Sequence, residues 1–354
     1  MSINIAAPHA QGKQAKDVIF AAAAAAQAAA KEFGKDKVTN ATIGAILDEN
    51  EKLVFLPTVE KVFRNLPADE IVAYAPIAGL ADYIECVKTA CFGQSAPDAN
   101  IAAVATAGGT GSIALAIWNY TSEGDTILTS DWYWGAYNAL CKDKGRTLAT
   151  YKMLTDDLQF NLPVLTAKFD EILAKQDNLL WIINTPAHNP TGYSLSDADW
   201  DATLDMIKSR AVNGKNIIVF VDVAYLDFAG EKEATRKFFK KFSKLPANVL
   251  VLVGYSMSKG FTLYGQRTGA LIGISSYEEV IQEFKNINEF TCRSTWSNIN
   301  RSAMRTLATI YQDPALLASV EQERADNYKM IKARADIFNA EAKACGLFTI
   351  PYVA

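Results

Sequence analysis

The sequence predicts an α/β protein: a large domain on a mainly parallel seven-stranded sheet covered by helices, plus a smaller α/β domain drawn from both chain ends. Three observations carry that expectation. Short β-branched runs alternate with longer helical patterns through the middle of the chain. The runs are apolar on both faces, as strands covered on both sides must be. The chain has 354 residues, half of them hydrophobic, enough for one large core or two unequal ones.

In chain order, VIFAAAAAAQAAA (18–30) reads as a helix starting near Asp17, because alanine loses no side-chain entropy on becoming helical. Gln27 interrupts it and EFGKDK follows, so neither a membrane span nor an export signal is expected. AAVAT (102–106), TILTS (126–130), WIINT (181–185), IIVFVD (217–222), VLVLVG (249–254) and GALIGI (269–274) read as strands. Between them GSIALAIWNY, GAYNALCKDK and SDADWDATLDMIKSR read as helices, the last with Ser196 and Asp199 at capping-box spacing. Residues 314–345 form a long helical pattern of mixed charge, and GLFTIPYVA after it reads as the beginning of a strand. The expected organisation is an N-terminal arm and part of the small domain in 1–55, the large domain in 56–312, and the start of the C-terminal part of the small domain in 313–354.

Composition narrows the class. A formal charge of −4 with no basic stripe gives no support for nucleic-acid binding. Five cysteines without a CxxC pair suit a reducing, cytoplasmic compartment better than a disulfide framework. Two histidines, His9 and His188, and no HExxH give no metal site.

The richest stretch is GYSMSKGFTLYGQRTGALIG (254–273), which sets Ser256, Ser258, Lys259 and Arg267 just beyond an apolar strand. Lys259 could be a solvated charge, a phosphate contact or an imine-forming nucleophile, and the neighbouring arginine and hydroxyls favour an anion site. In VDVAYLDFAG (221–230), Asp222 ends a strand, where a carboxylate is costly to bury without a cation or donors. It could pair with a structural lysine or arginine, or face the ring nitrogen of a pyridine cofactor, with Tyr225 as a phenol donor to the same ring. Asp227 reads as a solvated loop residue. In NTPAHNPTGYSLSD (184–197), Pro and Gly make a fixed turn, and Asn189 either caps it or donates to a ring oxygen. TAGGTGSIALA (106–116) places Gly109 and Thr110 at a helix start, where backbone N–H groups suit an anion; its GxGxxA match has no acidic residue closing the next strand, and Ser112 stands where a Walker lysine would be. SDWYWGAY (130–137) offers Trp134 beside Gly135 as a wall for a flat ring, the other aromatics being core plugs.

Together AHNPTG, VDVAY and SMSKGFTLYGQRTG resemble the fold-type-I aminotransferases, in their aspartate and aromatic amino acid branch, from about residue 40 to the C-terminus. The resemblance implies pyridoxal 5′-phosphate bound as an imine to Lys259, with Asp222 on the pyridine nitrogen and Tyr225 and Asn189 on the ring 3-oxygen. Ser256, Arg267, Gly109 and Thr110 would meet the phosphate, and Trp134 would stack on the ring. It also implies a homodimer with shared active sites, in which Tyr74 reaches the partner's phosphate and Arg293 the distal carboxylate of the substrate, and Gly44 marks a loop near substrate. The activity implied is amino transfer from aspartate, glutamate or an aromatic amino acid to a 2-oxo acid such as 2-oxoglutarate, with Lys259 shuttling the α-proton. The other readings are a lyase or decarboxylase on the same cofactor and a cofactor-binding protein without turnover. A serine acyl-transfer enzyme fits SxxK at Ser256 but lacks the companion SDN-like and KTG-like motifs. Departures from the family pattern are Gly108 for a common serine, Ile299 for a proline and Tyr137 for a histidine behind the aspartate. The family's C-terminal arginine for the substrate α-carboxylate has no match after Cys345, as expected of a fragment, an incompletely recorded chain or a divergent protein.

Overall fold

Alternate residues of the central strands enter two different cores. Leu179, Trp181 and Ile183 face one side with Val219, Val221, Val251 and Val253, while Leu180, Ile182, Ile218, Phe220, Leu250 and Leu252 face the other. This is the period-two alternation of a strand with both faces buried, and each such side chain contributes about 1.5–3 kcal/mol of hydrophobic stabilisation.

The protein is described by a computed structural model covering residues 5–14, 18–40, 42, 44–347 and 349. It divides into two units, Met1–Val54 and Phe55–Ala354. The first holds the alanine-rich helix α1 (Val18–Phe33), followed by Gly34 at positive φ, and a bridge between Leu47 and Leu53. The expected helix start at Asp17 lies outside the described residues.

The second unit opens with three helices, α2 (Pro57–Arg64), α3 (Ala68–Val72) and α4 (Ala81–Phe92). Strands and helices then alternate: β1 (Asn100–Thr106), α5 (Gly108–Tyr120), β2 (Thr126–Ser130), α6 (Ala136–Asp143), β3 (Thr147–Tyr151), α7 (Leu162–Leu173), β4 (Asn178–Asn184), α8 (Asp197–Arg210) and β5 (Asn216–Asp222). A 3₁₀ turn at Leu226–Phe228 and a 3₁₀ segment at Ala234–Phe242 lead to β6 (Val249–Ser256), the one-turn helix α9 (Met257–Gly260), β7 (Gly269–Ser275), α10 (Glu278–Thr295), α11 (Arg301–Gln312) and α12 (Pro314–Ala344). The capping box of α8 forms as its spacing predicts, with Ser196 Oγ accepting from the Asp199 N–H at 3.1 Å and Asp199 accepting from the Ser196 N–H at 2.9 Å. Asp313 caps α12 by accepting from the N–H groups of Ala315 and Leu316.

The seven strands lie in the order β1-β7-β6-β5-β4-β2-β3. β7 runs against both neighbours, and every other pairing is parallel. β3 is absent from the strand runs read in the sequence because it is an edge strand with only Tyr151 buried, so the two-sided apolar signature is missing. Helix α5 begins three residues earlier than its apolar pattern, since the glycines of its first turn carry no periodicity. The run after α12 that reads as a strand falls largely outside the described residues. Among the described residues no helix is long and apolar enough to cross a membrane.

Register fixes which residues share the carboxyl edge of the sheet. Thr106 and Ser256 both pair with Gly269, Asp222 pairs with Gly254, and Asn184 pairs with Asp222. The ends of β1, β6, β5 and β4 therefore converge, where ligands of open parallel sheets collect.

Candidate active site

At that edge lies a cavity of about 280 Å³ lined by ten of the residues singled out from sequence: Gly109, Thr110, Trp134, Asn189, Asp222, Tyr225, Ser256, Ser258, Lys259 and Arg267. They come from six separate segments, and the strand ends explain why they meet.

Asp222 closes β5 and is 7% exposed. The Tyr137 hydroxyl donates to its Oδ2 at 2.6 Å and the Ala224 N–H to its Oδ1 at 3.1 Å. Burial pushes its carboxyl above the usual range, with those two hydrogen bonds working in the other direction. Among the described residues no lysine, arginine or histidine forms an ion pair with it. A carboxyl held in a cavity with donors but no cation suits a cationic nitrogen of a ligand.

The NTPAHNPTG loop is pinned to β5 by Asn184, whose Nδ2 donates to the Asp222 carbonyl at 2.8 Å and whose Oδ1 accepts from the Asn189 N–H at 2.6 Å. That places the Asn189 side chain to donate to the Tyr225 hydroxyl at 3.0 Å. Burial, followed by the Asp222 charge, pushes the Tyr225 phenol up to about 12, so it stays a proton donor. His188 is buried behind the loop, its ring nitrogens 3.2 Å from Ser130 Oγ and 2.8 Å from Thr191 Oγ1, and burial lowers it to about 4. It is a neutral structural ring.

Lys259 rides on α9 immediately after β6. Its Nζ lies 5.9 Å from the Tyr225 ring centre and 5.0 Å from that of Tyr264. Burial, followed by the nearby Arg267 charge, lowers its ammonium below the ordinary lysine value, which favours the neutral, nucleophilic amine.

The opposite wall is built for an anion. No side chain caps the start of α5, so its first N–H groups keep their donors, and Thr110 stands beside them. Arg267 leans over this turn, held by hydrogen bonds of 3.1 Å to Ser258 Oγ and 3.0 Å to the Tyr264 carbonyl. Gly108, at φ +67°, makes that approach feasible, because a Cβ there would meet Arg267 Nη2 at 2.7 Å. The departure from serine at this position leaves the guanidinium lying directly against the backbone of the turn, and the positive φ suits glycine. Ser256 adds its hydroxyl, and Trp134 stands edge-on to Tyr137, with ring centres 5.8 Å apart, at the remaining side.

Tyr74 and Arg293 do not line this cavity: Tyr74 is 88% exposed beyond α3, and Arg293 projects from α10 with Nη1 donating to Ser297 Oγ. Gly44 is an exposed residue of the first unit. The cavity also contains Ile113, Asn184, Ala224 and Tyr264, for which the sequence reading assigned no role. Asn184 carried a usable signal, a polar residue ending an apolar strand as Asp222 does. The expectation that Asp227 is solvated is wrong. Its side chain is 8% exposed and lies 2.7 Å from Arg236 and 3.5 Å from Arg324. Burial alone would raise it, but Arg324 and then Arg236 hold it below the usual carboxylate range. Among the described residues no group of three His, Cys, Asp or Glu is placed to hold a metal ion.

The sequence pattern of the family described as "Aminotransferase class I and II" matches residues 36–352. A crystal structure of an aminotransferase from Anaerococcus prevotii DSM 20548 superposes with a TM-score of 0.96 at 40% identity, over 99% of this chain and 86% of that one. The tyrosine aminotransferase of Klebsiella pneumoniae is 26% identical over 305 residues, covering 83% of this chain and 73% of that protein. The cytoplasmic aspartate aminotransferase of Dictyostelium discoideum is 27% identical over 289 residues, covering 78% and 62%.

Proposed function

This chain belongs to the class I and II aminotransferases, and from that premise we propose that it holds pyridoxal 5′-phosphate on Lys259 and transfers an amino group from aspartate, glutamate or an aromatic amino acid to a 2-oxo acid such as 2-oxoglutarate. The observation that carries the reading is the buried Asp222 carboxyl, without a cationic partner among the described residues, facing the same cavity as Lys259.

The donor set suits this cofactor group by group. A phosphate would take the open N–H groups of α5, the Thr110 and Ser256 hydroxyls and the Arg267 fork. A pyridine nitrogen would meet Asp222, a ring oxygen would meet Tyr225 and Asn189, and Trp134 would wall the ring. When bound, the cofactor supplies an electron sink for the carbon from which a proton is removed. Asp222 keeps a proton on the facing nitrogen, and Tyr137 orients that carboxylate. Tyr225 and Asn189, already hydrogen-bonded to each other, fix the ring edge. Lys259, its ammonium lowered by burial, is the group to take the proton from the substrate α-carbon and return it.

The rest of the site belongs to a homodimer in this reading. Ile71, Val72, Tyr74 and Ile77 make an exposed, largely apolar stretch, which supports a partner surface there. Tyr74 would reach the partner's phosphate, Arg293 the distal carboxylate of a substrate in the partner's site, and Gly44 would mark the substrate-side loop. Five free cysteines support a cytoplasmic setting.

The test is an absorption titration of the chain loaded with pyridoxal 5′-phosphate, with aspartate and then phenylalanine as sole amino donor. Conversion to the pyridoxamine form by aspartate alone assigns a dicarboxylate enzyme, and conversion by both assigns the broader aromatic type. A loaded band that neither donor converts overturns the substrate assignment, and a folded chain with no band overturns the role of Lys259.

A further inference from the structure

Behind the lysine, on the side away from the cavity, lies a buried cluster that the amino-transfer reading does not use. Asp227 sits in the 3₁₀ turn after Tyr225, between two arginines that are themselves buried, with side chains 1% exposed at Arg236 and 7% exposed at Arg324. Arg236 is anchored to the scaffold, donating twice to the Ala90 carbonyl at 3.2 and 3.0 Å and once to the Lys232 carbonyl at 3.0 Å. Arg324 comes from α12, far along the chain. Its Nε donates to the Gly260 carbonyl at 2.6 Å, and its guanidinium lies 4.3 Å from the Phe261 ring centre. Gly260 is the residue after Lys259, and a Cβ there would lie 1.9 Å from Asp227 Oδ2, so the carboxylate is packed against the backbone of the lysine turn.

The same stretch of α12 is fastened at two further points just before this contact. Glu321 pairs with Lys232, and Glu323 accepts from the Thr58 N–H at 3.0 Å and from its hydroxyl at 2.6 Å. A helix held at three points and touching the lysine turn through one short bond sets the position of that turn.

We infer that Arg324 is a positioning residue for the Lys259 amine, acting through the Gly260 carbonyl and the Asp227 carboxylate, so that the last helix of the described chain holds the lysine turn in its cavity. The inference deepens the reading of Lys259 as the cofactor-bearing amine and rests on it for its meaning, but its test does not depend on loading. With the bond to Gly260 cut, the turn relaxes and the amine gains water, which moves its protonation toward the ordinary lysine value. The charged and titratable groups that face the amine, Arg267, Tyr225, Tyr264 and, across the cavity, Asp222, are left in place by the substitution.

The experiment is the pH dependence of acetylation at Lys259 by acetic anhydride, mapped by peptide mass in the full chain without cofactor. Arg324→Gln should raise the midpoint by about one pH unit, and Arg324→Lys, which keeps the charge beside Asp227 but not the planar fork, by less. Val320→Ala trims a fully buried apolar contact one helical turn before Arg324 but leaves the bond to Gly260 in place, and should lower the melting temperature without moving the midpoint. Equal midpoints in Arg324→Gln, Arg324→Lys and the unsubstituted chain, or equal shifts in Val320→Ala and Arg324→Gln, would overturn the inference. Failure of the amino-transfer reading shows separately, as an unsubstituted chain that gives no visible band with pyridoxal 5′-phosphate while the labelling comparison stands.

Discussion

Asp222 and Asp227 stand at the same end of β5, both buried, and their carboxyl groups are pushed in opposite directions. Asp222 has a phenol and a backbone N–H for partners, and burial prevails, raising it. Asp227 has two guanidinium groups, which prevail over burial and lower it. The difference separates a carboxylate satisfied inside the protein from one that needs a cation from outside. The cavity floor is left electrostatically incomplete, whereas the carboxylate behind the lysine already has cations beside it within the protein.

The largest expected effect is on the cavity side. Lys259→Ala should remove the visible band of the loaded protein and cut amino transfer by about 10³-fold or more, since both the attachment point and the proton shuttle are lost. A Lys259→Ala protein that still turns over would move the incomplete region elsewhere. Asp222→Asn should cost about 10²–10³-fold in turnover while leaving the unloaded fold as stable as before or more so near neutral pH. The sign follows from the direction of its shift. A carboxyl raised on folding contributes stability below its ordinary value of 3.8 that is lost as pH rises through the folded value, and asparagine removes that ionisation. Urea unfolding of the unloaded chain at pH 7 checks it, and a large loss of stability would mean that Asp222 is already paired.

Asp227→Asn should do the reverse. Removing one partner of a buried ion pair costs about 3–5 kcal/mol, so the unloaded chain should lose stability at neutral pH. Because its carboxyl is lowered on folding, that contribution is present above the ordinary value of 3.8 and is lost as pH falls through the folded value. Urea midpoints of the two chains should therefore stay apart from pH 7 down to about pH 5 and converge only as pH falls below the ordinary value of 3.8. A separation that persists unchanged below pH 3.8 would show that the arginines do not favour the charged carboxylate, and the comparison with Asp222 would fail.

How much of this was legible before the structure differs between the two carboxylates for the same reason. Asp222 was readable because its neighbours in sequence, an apolar strand before it and Tyr225 after it, already announce a buried strand end. Asp227 was not, because Arg236 and Arg324 approach it only through folding, and a lone aspartate after a strand has the local chemistry of a solvated turn. The sheet follows the same logic. β4, β5 and β6 are apolar on both faces and declare themselves, whereas β3 is an edge strand whose short TLATY run carries no such pattern. The anion wall was visible as the glycines of the first turn of α5 and the serines around Lys259. The closeness of Gly108 to the guanidinium of Arg267 was not, since Arg267 arrives from the turn before the neighbouring strand β7.

The smallest predicted effect tests the second link of the cavity side. The Tyr137 hydroxyl is one of only two donors to the Asp222 carboxyl among the described residues, at 2.6 Å. Tyr137→Phe keeps the ring and its edge contact with Trp134 but removes that donor, so the Asp222 carboxyl should rise further and hold its proton more often when a ligand nitrogen requires the charge. One hydrogen bond to a charged group contributes about 1.5–3 kcal/mol, an upper bound here because water or the ligand can take over part of it. Turnover should therefore fall by roughly tenfold, with the deficit shrinking as pH rises and Asp222 ionises without help. A deficit independent of pH would assign Tyr137 to packing alone, and Asp222 would then be held by the backbone of its own turn.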